Sequence, residues 1–240
     1  MKNMKYSEIL SKNSELLEKL IDNSTPYKVG VLSNIMVHQS KDICEYSLRR
    51  EGISAEVCLG DYDNILQGSY DLKEMNAVVI FWELCNLIDG LQFKIDNLNV
   101  EQFNDLVEKT KNEISITLSN LKDIPIVLVN KFSVLVFEQF NLQTTKFKEL
   151  SNILNHYIES TCASNVICID IDAIISKVSI DSAIDLRHYH SSKTLYSIKF
   201  YKEYFESIKP NFLSLNGKAK KAIIFDCDNT LWKGILGEDG

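Results

Sequence analysis

Five short apolar runs punctuate the chain, and between them apolar residues recur every three or four positions. From Ser7 to Asn23, residues Ile9, Leu10, Leu16, Leu17, Leu20 and Ile21 lie close to helical spacing, which predicts an amphipathic opening helix ended by Pro26. The runs Lys28–Ser33, Ser54–Leu59, Asn76–Trp82, Ile124–Asn130 and Asn165–Asp170 each read as a strand. The third is apolar without interruption, as burial on both faces requires. Between the strands the spacing predicts helices over Ser40–Arg50 with Gly52 as its stop, Asp63–Gly68, Val100–Leu121 and Thr145–Glu159. A closing helix over Ser197–Ile208 sets Ile198, Tyr201, Tyr204, Phe205 and Ile208 on one side and is stopped by Pro210.

Strands that alternate with helices are joined most simply by right-handed helical crossovers, which gives an α/β fold: a five-stranded parallel sheet with helices on both faces. The expected organisation is an N-terminal helix over 1–26, the α/β domain over 27–210, a linker over 211–221 and the truncated start of a second domain over 222–240. Neither an internal repeat nor a low-complexity tract interrupts this order.

Composition narrows the function classes. The 240 residues are 45% apolar and 25% charged, enough to bury a real core. With 26 basic against 33 acidic residues, a net charge of −7 and no sustained basic run, the chain is not expected to bind nucleic acid. No run approaches the roughly 18 apolar residues of a membrane span, and Met1–Ser7 has no apolar signal region, so a cytoplasmic protein without membrane contact is expected. The six cysteines are scattered, several within apolar runs, and read as buried free thiols.

The chemistry concentrates near the end. Ala222–Phe225 is a short apolar strand that delivers Asp226 and Asp228 to its carboxyl end, where α/β folds place their sites. Side chains alternate along an extended chain, so the two carboxylates point one way and Cys227 the other, toward a core. Paired carboxylates suit phosphoryl transfer with a divalent cation, and Thr230 adds a hydroxyl beside them. Asp226-Cys-Asp-Asn-Thr230 resembles the first motif of the haloacid dehalogenase (HAD) superfamily. The longer string through Trp232, Gly234 and Gly237-Glu-Asp-Gly240 resembles its FkbH-like branch, of subfamily IIIC type. That branch usually shows a Gly-Gly pair after the Trp where this chain has Lys233-Gly234.

The resemblance implies that Asp226 is the nucleophile that forms an aspartyl-phosphate, that Asp228 is the general acid/base, and that Asp226 and the Asp228 carbonyl bind Mg²⁺. The later motifs of that superfamily have no room before Gly240, so the chain reads as an N-terminal piece carrying half an active site, inactive as a phosphatase alone. Such proteins are similar to enzymes that dephosphorylate an activated small acid and transfer a glyceryl-type acyl group to an acyl carrier protein, in secondary-metabolite or surface-polymer biosynthesis. A phosphorylated small molecule and a carrier protein are the partners this implies.

The first domain is similar in strand order to flavodoxin-like folds and to SGNH hydrolases. Ser33 closes the first strand, and Asp185-Leu-Arg-His188 has the spacing that puts an orienting carboxylate and a base on one loop. Val31-Leu32 stands where a Gly-Asp is expected, and Glu83-Leu-Cys-Asn86 replaces Gly-x-Asn-Asp, so the oxyanion donors are missing. An esterase using Ser33 and His188 is therefore the weaker reading, and a docking module for the carrier the stronger rival. FkbH-like proteins are similar in carrying a degenerate SGNH-like module, in which Ser33-Asn34, Trp82-Glu83, Asn130 and Arg187-His188 would line a pocket or docking surface. Arg187, His188, His190 and Lys193 form a local cluster of donors for an anionic ligand. His38 and His156 stand alone at predicted helix positions and are read as satisfied or exposed histidines, not ligands.

Overall fold

Strands β1 (Tyr27–Ser33), β2 (Ala55–Leu59), β3 (Ala77–Phe81), β4 (Val127–Asn130) and β5 (Val166–Ile169) form one all-parallel sheet in the order β2-β1-β3-β4-β5. The structure is a computed structural model and describes residues 1, 3–20, 25–134, 137 and 145–218. The chain divides into two compact units, Met1–Lys209 and Pro210–Gly240. In the first unit the register sets Val29 of β1 against Ala77 of β3 and Tyr27 against Ala55 of β2. All five residues of β3 are buried, which its uninterrupted apolar run foretells. β4 starts at Val127, two residues after Pro125, whose ring nitrogen has no hydrogen to give to a ladder.

The crossovers are α2 (His38–Arg49), α3 (Ile65–Asp71), α5 (Val100–Asn120) and α6 (Lys146–Thr161), preceded by α1 (Tyr6–Leu20). Local chemistry fixes their ends. Asn99 caps α5 reciprocally with Gln102, Thr145 caps α6 through the Lys148 amide, and Gly52 closes α2 at φ +74 as expected. The segments before α5 and after β5 hold short helices that the spacing does not reveal: α4 (Leu91–Lys94), α7 (Ile171–Val178), α8 (Ile180–Ala183) and α9 (Leu186–Ser192). Pieces of four to eight residues carry too few apolar repeats for a period to show. Ser179 and Lys193, at φ +71 and +58, interrupt this region without any glycine to advertise it. Asp185–His188 therefore sits on a helix start, not on a loop.

The last helix, α10 (Ile198–Leu215), contains Pro210 rather than ending before it. Proline forfeits its own backbone bond and its ring crowds the carbonyl four residues earlier, yet Phe205, Ile208 and Phe212 carry the apolar spacing across it. The stop is Gly217 at φ +66, where the Lys218 amide donates to Leu213 O at 2.8 Å and the Gly217 amide to Ser214 O at 3.3 Å. That is the paired bonding of a Schellman end.

One polar cluster is sealed between α1, α2 and β2. Glu45 accepts from the Val57 amide (3.1 Å) and from Asn13 Nδ2 (3.2 Å), and lies 3.3 Å from Arg49. Arg49 donates through Nε and Nη2 to Ala55 O and through Nη1 to Asn13 Oδ1. Removing one charge strands the other in a medium that cannot solvate it. Glu45→Ala is expected to destabilise the fold by about 3–5 kcal/mol in urea melts, and Glu45→Met with Arg49→Met to recover most of it. A loss below about 0.5 kcal/mol, the level of a surface change, would contradict the account.

Candidate functional site at the carboxyl edge of the sheet

In a sheet of this order the chain leaves β1 and β3 in opposite directions, and the crevice beyond their carboxyl ends is the place for a ligand. Asn34, the first residue after β1, spans that crevice. Its Nδ2 donates to Glu83 O (2.8 Å) and its Oδ1 accepts from the Glu83 amide (2.7 Å), while its own amide donates to Phe81 O (3.2 Å). The side-chain amide thus acts as one more peptide unit between β1 and β3. Asn86 Nδ2 donates to Asn34 O and to Tyr62 Oη, which brings in the turn after β2. The same turn is tied to β1 by the Asp63 amide, which donates to Ser33 O at 3.1 Å, with Asp63 at φ +55.

Two pockets flank this clamp. One, of about 140 Å³, is lined by Asn34, Asp63, Asn64, Trp82, Asn86 and Glu113 with three aliphatic residues. The other, of about 280 Å³, is mostly apolar and holds Ser33, His38, Asp61 and Tyr62. His38 reaches that rim from the first turn of α2, and exposed His156 lines neither pocket.

The hydrolase residues are not gathered at either pocket. Ser33 is buried, and its Oγ accepts from the Ile35 amide at 3.0 Å, a local turn. Asp185 is the N-cap of α9: Oδ1 accepts from the amides of Arg187 (3.0 Å) and His188 (3.2 Å), the His188 amide foremost among the causes that hold its carboxyl below the usual range. His188 Nδ1 is 3.5 Å from Asp185 Oδ2, with its side chain 69% exposed, and His188 lines neither pocket. The proposed cluster of free donors is also partly spent. Lys193 is bonded to Asp89 and lies over the Tyr189 ring, His190 stacks on Phe93, and Arg187, 94% exposed, has its Nε 3.8 Å from Asp185 Oδ1.

On the far side of the clamp, Glu83 turns into the core. It is 3% exposed, and burial pushes its carboxyl up to about 7, while the Tyr196 hydroxyl and the Asn130 amide oppose the shift and nearby Asp172 adds to it. The Asn130 amide lies beside it without a bond of regular geometry, and Glu83 Oε1 stays without a regular partner. Tyr196, Tyr201 and Tyr204 face this group, and burial raises each of their hydroxyls too. Tyr204 donates to Asn130 Oδ1 at 2.6 Å. Burial likewise raises the Cys85 thiol, to about 12, so it is an inert core group. All five cysteines among the described residues are free thiols; Cys44 and Cys85 are buried and Cys58, Cys162 and Cys168 half-buried.

Sequence reasoning placed Ser33-Asn34, Trp82-Glu83 and Asn130 at this edge because the apolar runs end there. It missed Asp63, Asn64 and Glu113, although the turn Gly60-Asp-Tyr-Asp63 follows the second strand at the same edge. Asp226, Asp228, Cys227 and Thr230 lie outside the described residues. Among the described residues no group of three or more His, Cys, Asp or Glu side chains is placed to hold a metal ion, and no helix is long and apolar enough to cross a membrane.

No protein-family description matches the chain, and no curated protein matches its sequence. Among solved structures, its fold is similar to the N-terminal part of BF1531 from Bacteroides fragilis, described as containing a phosphatase domain complexed with Mg. The TM-score is 0.72 at 15% identity, over 99% of this chain and 64% of that one. This likeness bears on the fold. The chain spans 64% of the length of that neighbour. The lipase Lip_vut3 from a goat rumen metagenome is similar at TM-score 0.53 and 12% identity, over 77% of this chain and 96% of that one. The expected α/β fold with an all-parallel sheet is the one observed.

The burial of Glu83 sets a pH dependence. With a folded value of about 7 against an ordinary 4.5, its contribution is complete below pH 4.5 and is lost as pH rises through 7. The loss is on the order of 3 kcal/mol. Glu83→Gln, neutral at every pH, should flatten the decline of stability across that window and melt higher than the parent protein at pH 8. An unchanged pH profile of melting temperature would contradict this.

Proposed function

We propose that the chain supplies the accessory α/β module and the first catalytic motif of an FkbH-like, Mg²⁺-dependent enzyme of the HAD superfamily. The observation that carries the reading is the motif Asp226-Cys-Asp-Asn-Thr230 in the sequence, and the fold likeness to the N-terminal part of BF1531 supports it. The Asp226 carboxylate and the Asp228 backbone carbonyl, the ligands that the resemblance implies, are hard oxygen donors of the kind Mg²⁺ prefers. When bound, the ion would screen the negative charge of carboxylate and phosphate.

The chain's own residues then divide the work. One Asp226 oxygen attacks phosphorus, and the bond from phosphorus to the leaving oxygen breaks. Asp228 gives that oxygen a proton, then takes one from the water that attacks the aspartyl-phosphate and frees phosphate. The substrate is a small acid that carries a phosphate on a hydroxyl, which Asp226 removes, and a separate activating group on its acyl carbon; the carrier-protein thiolate attacks that carbon, forms the thioester and expels the activating group with the electrons of the bond it breaks. The first domain docks the carrier, with exposed Arg187 as an electrostatic contact for an acidic helix. A Ser33 esterase is disfavoured because the hydroxyl is held in a turn, apart from His188.

Incubation of the enzyme that joins this chain to the later HAD motifs with acetyl phosphate and Mg²⁺, followed by borohydride reduction and peptide sequencing, tests the assignment, with residues 1–240 alone as a control expected to form no stable label. The label is expected at Asp226, dependent on Mg²⁺ and absent in Asp226→Asn. No label with Mg²⁺ present, or the same label in Asp226→Asn, would overturn it.

A further inference from the structure

The smaller pocket beside the Asn34 clamp makes chemical demands that the phosphatase reading does not use. Trp82 and Asn86 line it, and each is only 6% exposed. Asn86 spends both amide hydrogens on Asn34 O and Tyr62 Oη, so its Oδ1 is left to accept; the Trp82 indole N–H donates to no described residue. The rim adds the carboxylates of Asp63 and Glu113 and the amide of Asn64, and no basic side chain lines it. A ligand here must accept from one indole hydrogen and donate to an amide oxygen and carboxylates.

Hydroxyl groups do both. An ammonium only donates, and a phosphate or carboxylate only accepts and meets two like charges. Ile65, Leu66 and Leu87 and the indole face offer apolar surface of the kind that covers C–H groups between hydroxyls. We propose that this pocket binds a neutral polyhydroxylated ligand, a sugar or cyclitol ring, through Trp82, Asn86 and Asp63. The place is where a sheet of this order binds ligands, between the carboxyl ends of β1 and β3. The proposal does not rest on the phosphoryl chemistry assigned to Asp226: it concerns a separate ligand, and the presence of phosphate on that ligand should weaken binding.

Nitrogen–proton correlation NMR reads the site directly, since the chain has two indole N–H groups, of Trp82 and Trp232, and Trp82→Phe assigns the first. The probes are methyl glucoside, N-acetylglucosamine and myo-inositol, each at tens of millimolar. At least one is expected to move the Trp82 indole peak saturably. Asp63→Asn keeps a residue that tolerates positive φ but removes the charged acceptor, and should weaken that binding about tenfold. Myo-inositol phosphate should bind more weakly than myo-inositol. The proposal falls if no probe moves the peak, if Asp63→Asn leaves the affinity unchanged, or if the phosphorylated ring binds as tightly as the neutral one.

Discussion

Asn34 donates and accepts with one planar amide, and that pair of bonds holds the mouths of β1 and β3 together where the strands themselves have ended. Only Asn or Gln can offer a peptide-like edge from a side chain, and Asn is the shorter and stiffer of the two. Each bond contributes about 1 kcal/mol net, but an unmade one in this buried place costs about 1–3 kcal/mol, so the clamp is worth more as a constraint than as a sum. Because Asn86 then bonds to the Asn34 carbonyl and to Tyr62, the loops after β1, β2 and β3 share one hydrogen-bonded frame. Both pockets are walled by that frame.

The clamp also explains why Glu83 is where it is. Its backbone is fixed by Asn34, which leaves the side chain facing the aromatic cluster of Phe81, Tyr196, Tyr201 and Tyr204. Tilted and edge-on ring contacts pack this cluster, with Tyr196 stacked on Phe200 at 3.9 Å. A carboxyl group in such surroundings favours its neutral form. One edge of the sheet therefore carries two different polar environments: an open, hydroxyl-seeking pocket on one side and a sealed carboxyl on the other.

Much of this was legible in the sequence, because buried parallel strands are plain apolar runs and their polar last residues mark the functional edge. Ser33-Asn34 and Trp82-Glu83 stand out for that reason. What the sequence conceals is how a polar group is spent. Asp185-Leu-Arg-His188 has the spacing of a catalytic pair, yet the carboxylate caps α9. Ser33 has the position of a nucleophile, yet its oxygen serves a turn. Asp63 and Lys193 adopt positive φ without being glycine, so the turns they build leave no mark in composition. Pro210 gave a false stop because the apolar spacing around it was the stronger influence, and Gly217 supplied the true one.

The central claim is that this edge is a binding frame and that Ser33 belongs to its structure, not to a hydrolytic triad. Reaction with a fluorophosphonate, which reports an activated serine whatever the natural substrate, tests it most directly. The account predicts no modification at Ser33 beyond that of the unfolded chain. Stoichiometric labelling of Ser33, lost when His188 is replaced by Ala, would contradict it.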